Sequence, residues 1–328
     1  MTRFEYIWLD KALALRSKVR YEDADLASEW SFDGSSTGQA LGIASDCLLI
    51  PVRTYSNPLD GGYFVLCEVY NGLMEPHSTN TRQLLNGYDA EDTDWWFAFE
   101  QEYFLMDNDT ILGWPKDGTP RPQGDYYCGV GFANTRGRGL VSHHTEMCLE
   151  AGLNITGTNA EVALGQWEYQ IFSKGHLQAA DDLWMSRYIL YRVAEFYNTD
   201  IELHPKPVKG DWNGSGCHIN FSNSVLRDES SKKVVEDIIK KLELTHGKVM
   251  DGEVYGKYNA ERLTGEHETQ HYSKFSYGEY DRGASIRIPS YTVQNNYHGY
   301  LEDRRPASNV DPYQAVSHIL DTLGDKNE

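Results

Sequence analysis

The sequence predicts an α+β chain, with a strand-built first part and a longer second part in which helices and strands alternate. Three observations predict it. The first third carries short runs of aromatic and branched residues separated by turn-forming residues. Three later segments place apolar residues at helical spacing. Between them run strands that carry acids, a histidine and arginines among their apolar residues. At 328 residues the chain has the length of about two domains.

Taken in order, residues 4–10 are expected as a strand, residues 32–38 as a tight polar loop, and residues 62–70 as a buried strand closing the first unit. The polar stretch 71–82, with Gly72, Pro76 and Ser78, is the boundary signal. It divides the chain into residues 1–78 and 79–328. Residues 95–105 read as a strand buried on both sides, because large apolar residues occupy both of its faces. Residues 140–151 are expected as a helix ended by Gly152, and residues 179–196 as a second helix. Residues 231–244 form a third, with Val234, Val235, Ile238, Ile239 and Leu242 opposite Lys232, Lys233, Lys240 and Lys241.

Composition excludes several classes. The 30 basic and 49 acidic side chains give a net charge of −19, the opposite of a nucleic-acid footprint. No apolar run approaches the ~18 residues of a membrane span. The amino terminus lacks the apolar core of a signal peptide. Five cysteines, an odd number without a C-x-x-C pair, make a poor disulfide framework. A soluble, cytoplasmic chain with reduced thiols is expected.

Chemistry is carried by four clusters. Glu100 and Glu102 sit two apart in a strand and project from the same face. Two like charges among aromatic residues need cations, arginines or raised pKa values; the alternative is a pair of exposed acids on an edge strand. Glu161 and Glu168 repeat the pattern beside glycines, which suggests an oxygen-lined cavity for Mg²⁺ or Mn²⁺. In 217–222, His218, Asn220 and Ser222 face one way, and Cys217, Ile219 and Phe221 the other. Arg282, Arg287, Arg304 and Arg305 group in short motifs suited to binding anions. Carboxylates for metal beside arginines for anions point to phosphoryl transfer. Neither a P-loop nor a dinucleotide-binding glycine fingerprint is present. His267-Glu268-Thr269-Gln270-His271 matches the H-E-x-x-H pattern of zinc proteases, but no apolar helical stripe flanks it, so a polar loop is expected.

In their order along the chain these motifs resemble type II glutamine synthetase, the form typical of eukaryotes. The resemblance is carried by Asp33-Gly34-Ser35-Ser36, Glu100-Gln101-Glu102-Tyr103, Asn159-Ala160-Glu161-Val162 and Gln166-Trp167-Glu168. It continues through Asn213-Gly214-Ser215-Gly216-Cys217-His218, Arg262-Leu263-Thr264-Gly265 and Ser285-Ile286-Arg287-Ile288-Pro289 to Gly299-Tyr300-Leu301-Glu302-Asp303-Arg304-Arg305-Pro306. It implies a small β-grasp domain followed by a larger catalytic domain with a curved antiparallel sheet flanked by helices. It also implies a homo-oligomer, commonly a decamer of two pentameric rings, with active sites between subunits.

The activity implied is ATP-dependent ligation of ammonium to L-glutamate. Glu102, Glu161 and Glu168 would hold one divalent metal, and Glu100, His218 and Glu302 a second. Arg262 and Arg304, with Asn213, Gly214 and Glu161, would bind glutamate. Trp96, Asn220, Ser222, Arg287 and Tyr300 would line the ATP site, and Arg282 would face the transferring phosphate. Asp33, from the adjacent subunit, matches the ammonium site; its local alternative is a turn aspartate capping Ser35 or Ser36. Glu268 matches a loop glutamate that shields the intermediate from water. The resemblance leaves open a ligase for another amine, or a catalytically silent structural relative. Three departures stand out: the chain starts almost at its first strand, so contacts between rings are expected to differ; Glu261 stands where a second arginine is usual; and His271 is unusual in its loop.

Overall fold

Apolar residues at period two build the first sheet. The structure, a computed structural model, describes residues 1–90 and 92–324. Strands β1 (Thr2–Leu9), β2 (Leu15–Glu22), β3 (Trp30–Asp33), β4 (Asp46–Ser56) and β5 (Tyr63–Tyr70) lie in the order β2-β1-β5-β4-β3. Only β1 and β5 pair in parallel. Phe4, Tyr6 and Trp8 fill a small core on one face with Phe32, Leu49 and Val65, while Ile7, Phe64 and Leu66 point the other way into the main core. The expected loop at 32–38 is in fact the end of β3 followed by one 3₁₀ turn, Gly34–Thr37. Phe32 is drawn into the strand because its ring packs on Trp8.

The second sheet is curled and mostly antiparallel. Its members are β6 (Trp96–Asp107), β7 (Thr110–Ile111), β8 (Ile155–Ala160), β9 (Gln166–Lys174), β10 (Asp200–Glu202), β11 (Cys217–Ser222), β12 (Tyr277–Glu279), β13 (Ile286–Ile288) and β14 (Leu301–Asp303). The order is β12-β13-β14-β11-β6-β9-β8, with β7 and β10 on the end of β6. The pair β12–β13 is parallel, a departure from the antiparallel expectation.

Seven helices occur among the described residues: α1 (Arg138–Glu150), α2 (His176–Phe196), α3 (Ser224–Asp228), α4 (Lys232–Leu244), α5 (His246–Asp251), α6 (Ser290–Gln294) and α7 (Pro312–Leu323). The three expected helices are present. Gly152 follows α1 at φ +91°, and the Ser231 side chain caps α4 by accepting from the Val234 N–H. Helix α2 begins about a turn earlier than its apolar pattern, at His176 after Gly175. It lies in the main core beneath β6 and β9, contributing Leu183, Ile189 and Val193.

Two features position the site. First, β6 is central rather than an edge strand, flanked by β11 and β9. Contrary to expectation, it is not buried on both faces. Phe97, Phe99, Gln101 and Tyr103 are buried, whereas Trp96, Ala98, Glu100 and Glu102 are only partly covered. The large residues misled the reading because Trp96 and Ala98 line a cavity instead of a core. Second, the two sheets are tied by buried Asp181 on α2. It accepts hydrogen bonds from Arg53 Nε of β4 (2.9 Å), Arg82 Nε (2.9 Å) and the Tyr313 hydroxyl of α7 (2.7 Å). No helix among the described residues is long and apolar enough to cross a membrane.

Candidate active site

Strand register assembles the acids in rows. Glu102 on β6 lies directly opposite Glu168 on β9, which lies opposite Asn159 on β8. One step along, Glu100 is flanked by Gln170 on β9 and His218 on β11. A further step brings Asn220 of β11 opposite Glu302 of β14, itself opposite Arg287 of β13. Like charges placed opposite one another destabilise a sheet, so the Glu102–Glu168 row is unfavourable without a counter-charge.

The rows and the loops above them enclose a cavity of about 460 Å³. It is lined by Glu100, Glu102, Glu161, Glu168 and His218, by Asn213 and Gly214, and by Arg262, Arg282, Arg287 and Arg304, with Glu268 above. Two triads of ligating atoms each lie within 4.8 Å: Glu102, Glu161 and Glu168, and Glu100, His218 and Glu302. These are the two sets that the sequence resemblance implied.

Electrostatics separates the triads. Burial first, and then neighbouring acids, raise the carboxyl pKa of Glu102, Glu161 and Glu168 to about 8, against hydrogen bonds that favour ionisation. Those bonds come to Glu102 from the Gly216 N–H (2.8 Å), to Glu161 from Asn159 Nδ2 (2.9 Å) and to Glu168 from Gln170. In the second triad, Glu302 is fully buried between Arg287 Nη1 (2.7 Å) and Arg304 Nη1 (2.6 Å). Burial, with Arg304 nearby, drives the His218 pKa well down. The imidazole is therefore neutral, and its approaches to Glu100 (3.5 Å) and Glu302 (3.7 Å) are not ion pairs.

This donor set fits divalent cations. His218 Nδ1 is buried and unpartnered, as a neutral ligand nitrogen aimed into the cavity would be. The first triad is all oxygen and carries the repulsion that a hard cation relieves.

The arginines divide their tasks. Arg262 is buried; its Nη2 donates to the carbonyls of Arg304 (3.0 Å), Arg305 (2.8 Å) and Pro306 (3.0 Å), and its Nε to Asn259 Oδ1 (3.1 Å). A Cβ at Gly214 would stand 2.2 Å from the Pro205 carbonyl oxygen, so glycine lets this loop pass beside Arg262. Arg304 Nε is buried without a partner. Arg305, on the opposite face, is bound to Asp303 and takes no part in the cavity. Arg282 is exposed at the rim.

A second cavity of about 410 Å³ adjoins the first, and Glu100 and Gln170 line both. It holds Trp96, Asn220, Ser222 and Tyr300, while Arg287 stays in the first. Its lining is more apolar, with the Phe172 and Tyr291 rings.

Asp33 lines neither cavity. It caps its own turn, accepting from the Ser35 N–H (3.0 Å) and from the Ser35 and Ser36 hydroxyls (2.6 Å each). Glu261 pairs with Lys209 at the surface. The H-E-x-x-H segment forms no helix; His267 lines the cavity, whereas His271 is exposed and bound to Ser273. Sequence reasoning passed over Asn159, Gln170, Tyr127 and His267 as cavity residues. Period two from Glu168 marks Gln170; nothing in the spacing marks His267.

A fold in pH stability follows. Each acid of the first triad binds a proton more tightly in the folded state than its usual value near 4.5. Between pH 4.5 and about 8 these three acids hold more protons in the folded protein than in the unfolded chain, so their contribution to stability falls as pH rises. The buried histidines His144, His176, His218, His246 and His318, with lowered pKa values, act in the opposite direction below about pH 6.5. Denaturation in chelator at pH 7 and pH 8, above the histidine range, is expected to show a loss on the order of a few kcal/mol. Saturating Mg²⁺ should abolish most of it.

The chain is similar to known proteins over most of its length. Residues 75–245 match the family described as glutamine synthetase, catalytic domain. The glutamine synthetase of Agaricus bisporus is 46% identical, covering 97% of this chain and 92% of its own length. That of Kluyveromyces lactis is also 46% identical, over 97% of this chain and 88% of its own. The glutamine synthetase of Bradyrhizobium diazoefficiens is 47% identical, over 98% and 97%. Similarity of this extent, spanning both triads and the arginines around them, places the chain in the glutamine synthetase family.

Proposed function

We propose that the protein ligates ammonia to the γ-carboxylate of L-glutamate, using ATP and passing through γ-glutamyl phosphate to L-glutamine. The observation that carries this reading is the pair of carboxylate triads beside Arg262 and Arg304 in one cavity, opening on a second cavity of aromatic and amide side chains.

Glutamate lies with its carboxylates towards Arg262 and Arg304, beside Asn213, Gly214 and Glu161. ATP occupies the second cavity against Trp96, Asn220, Ser222 and Tyr300, with its phosphates directed past Arg287 towards Arg282. Glu102, Glu161 and Glu168, and Glu100, His218 and Glu302, would hold Mg²⁺ or Mn²⁺, which would neutralise charge on phosphate and carboxylate oxygens. A γ-carboxylate oxygen attacks the γ-phosphorus, and the bond to ADP breaks. Arg282 offsets charge on the transferring group, since this chemistry depends on positioning and electrostatics. Ammonium at Asp33 of the partner subunit loses a proton, and its nitrogen attacks the acyl carbonyl and expels phosphate. Glu268 covers the intermediate and receives the proton.

The same reading takes residues 1–78 as a β-grasp domain and 79–328 as the catalytic domain. It places the protein in the cytoplasm as a homo-oligomer, a decamer of two rings, in which Asp33 completes a neighbouring site. Purified protein with glutamate, ATP, Mg²⁺ and ammonium should release one phosphate for each glutamine formed. Phosphate release that needs an alkylamine instead of ammonium would assign a different ligase, and no turnover with any amine would leave a silent relative.

A further inference from the structure

The loop over the main cavity is held in an unfavourable backbone conformation. His267 and Glu268 both have positive φ, +54° and +57°. For non-glycine residues the left-handed region is disfavoured, and two in succession persist only where the surroundings hold them. The stem is fixed by the Tyr272 N–H on the Leu263 carbonyl (2.8 Å) and the Thr269 hydroxyl on the Glu266 carbonyl (2.7 Å). The tip is anchored by the His267 ring.

The protonation of that ring can be read from its neighbours. Gln123 Oε1 accepts the Asn213 backbone N–H at 2.6 Å, which fixes the orientation of the amide. Gln123 Nε2 then donates to Asn213 Oδ1 (2.8 Å) and faces His267 Nδ1 (3.2 Å). An amide nitrogen only donates. Nδ1 is therefore the acceptor, and the ring proton sits on Nε2, 3.2 Å from Asp211 Oδ1. Asp211 is 95% exposed and His267 only 17%, so the Gln123 contact is the firmer end. One amide thus ties the loop tip to Asn213, and Glu268 and Thr269 are presented to the cavity.

We infer that His267 is a positioning residue: through Gln123 it clasps the 264–272 loop to the glutamate-binding segment and sets Glu268 over the reacting carbonyl. The inference rests on the ligase reading above. With the clasp open, water adds to the acyl phosphate where ammonia would. The acyl carbon–oxygen bond to phosphate breaks, glutamate is regenerated, inorganic phosphate leaves, and the proton passes to solvent. The step consumes ATP without making glutamine.

His267→Ala should lower glutamine turnover by between about tenfold and a hundredfold, the range expected when a catalytic group is misplaced. Phosphate released per glutamine should rise from one to two or more, with the KM for ATP unchanged. His267→Asn keeps an acceptor at the position of Nδ1 and tolerates the left-handed backbone, so it should restore coupling. Gln123→Leu should uncouple like His267→Ala, and the double variant should be no worse than either. Ratios near one in the alanine and leucine variants, or an asparagine variant as uncoupled as alanine, would overturn the clasp. Amide exchange across 264–272 provides a readout independent of turnover: faster in His267→Ala and near wild type in His267→Asn. Equal protection in all three proteins also overturns the clasp, whereas a wild-type enzyme that makes no glutamine overturns the ligase reading alone.

Discussion

Glu102→Gln should abolish metal-dependent turnover and, at the same time, make the metal-free protein more stable. The side chain lies in the floor of the cavity, directly opposite Glu168, and burial holds its proton up to about pH 8. The ionised acid is therefore a destabilising group until a cation arrives. Glutamine keeps the shape and can still accept the Gly216 N–H, but it carries no charge to repel Glu161 and Glu168. Turnover should fall by on the order of a thousandfold or more, because phosphoryl transfer here depends on charge neutralisation. Near pH 8 in chelator, stability should rise by on the order of 1–3 kcal/mol, and the decline between pH 7 and 8 should become shallower. Urea unfolding at both pH values, beside the coupled assay, tests the two halves separately. Near-normal turnover would sink the metal assignment; unchanged stability at pH 8 would sink the electrostatic one.

Glu302→Ala should lose both activity and stability. This acid is fully buried, and each of its oxygens binds an arginine, Arg287 and Arg304. Removing it leaves two guanidinium groups without the carboxylate that binds both, a change worth about 3–5 kcal/mol for a buried pair. The protein should still fold, with a lower denaturation midpoint and an unchanged dependence on denaturant. A loss under about 1 kcal/mol would contradict the bridging role, since that is the scale of an exposed pair. Two acids of neighbouring triads, close in space and alike in chemistry, thus have opposite effects on stability when removed. The difference lies in their partners: Glu102 faces other acids, Glu302 faces bases.

The sequence carried much of this site because strands obey a simple period. Glu100 and Glu102 share a face by alternation, as do His218, Asn220 and Ser222, and both sets line cavities. The motif resemblance then supplied roles that alternation does not contain. Register was not legible: nothing local states that Glu102 lies opposite Glu168, because pairing between distant strands is settled by the whole sheet. Nor was the exposure of the Trp96–Glu102 face legible, since an aromatic residue reads alike in a core and in the wall of a cavity. His267 was hidden for a third reason: its contacts depend on a left-handed turn and on a glutamine far away in the chain. Asp33 shows its local capping of Ser35 and Ser36; the role proposed for it would need a neighbouring copy of the chain.

Buried Asp181 has a consequence for how the molecule comes apart. Its carboxylate is shared among Arg53 of the first sheet, Arg82 of the connecting segment and Tyr313 of the last helix. Ile7, Phe64 and Leu66 of the first sheet meanwhile belong to the main core. Severing the chain near residue 78 would strip an apolar face from each fragment and take Arg53 away from this acid. Neither fragment would be a self-sufficient unit, and the two would regain structure only by recombining. Heating the intact protein should accordingly melt both sheets in a single step, so the boundary so visible in the sequence is a seam in architecture and not in cooperativity.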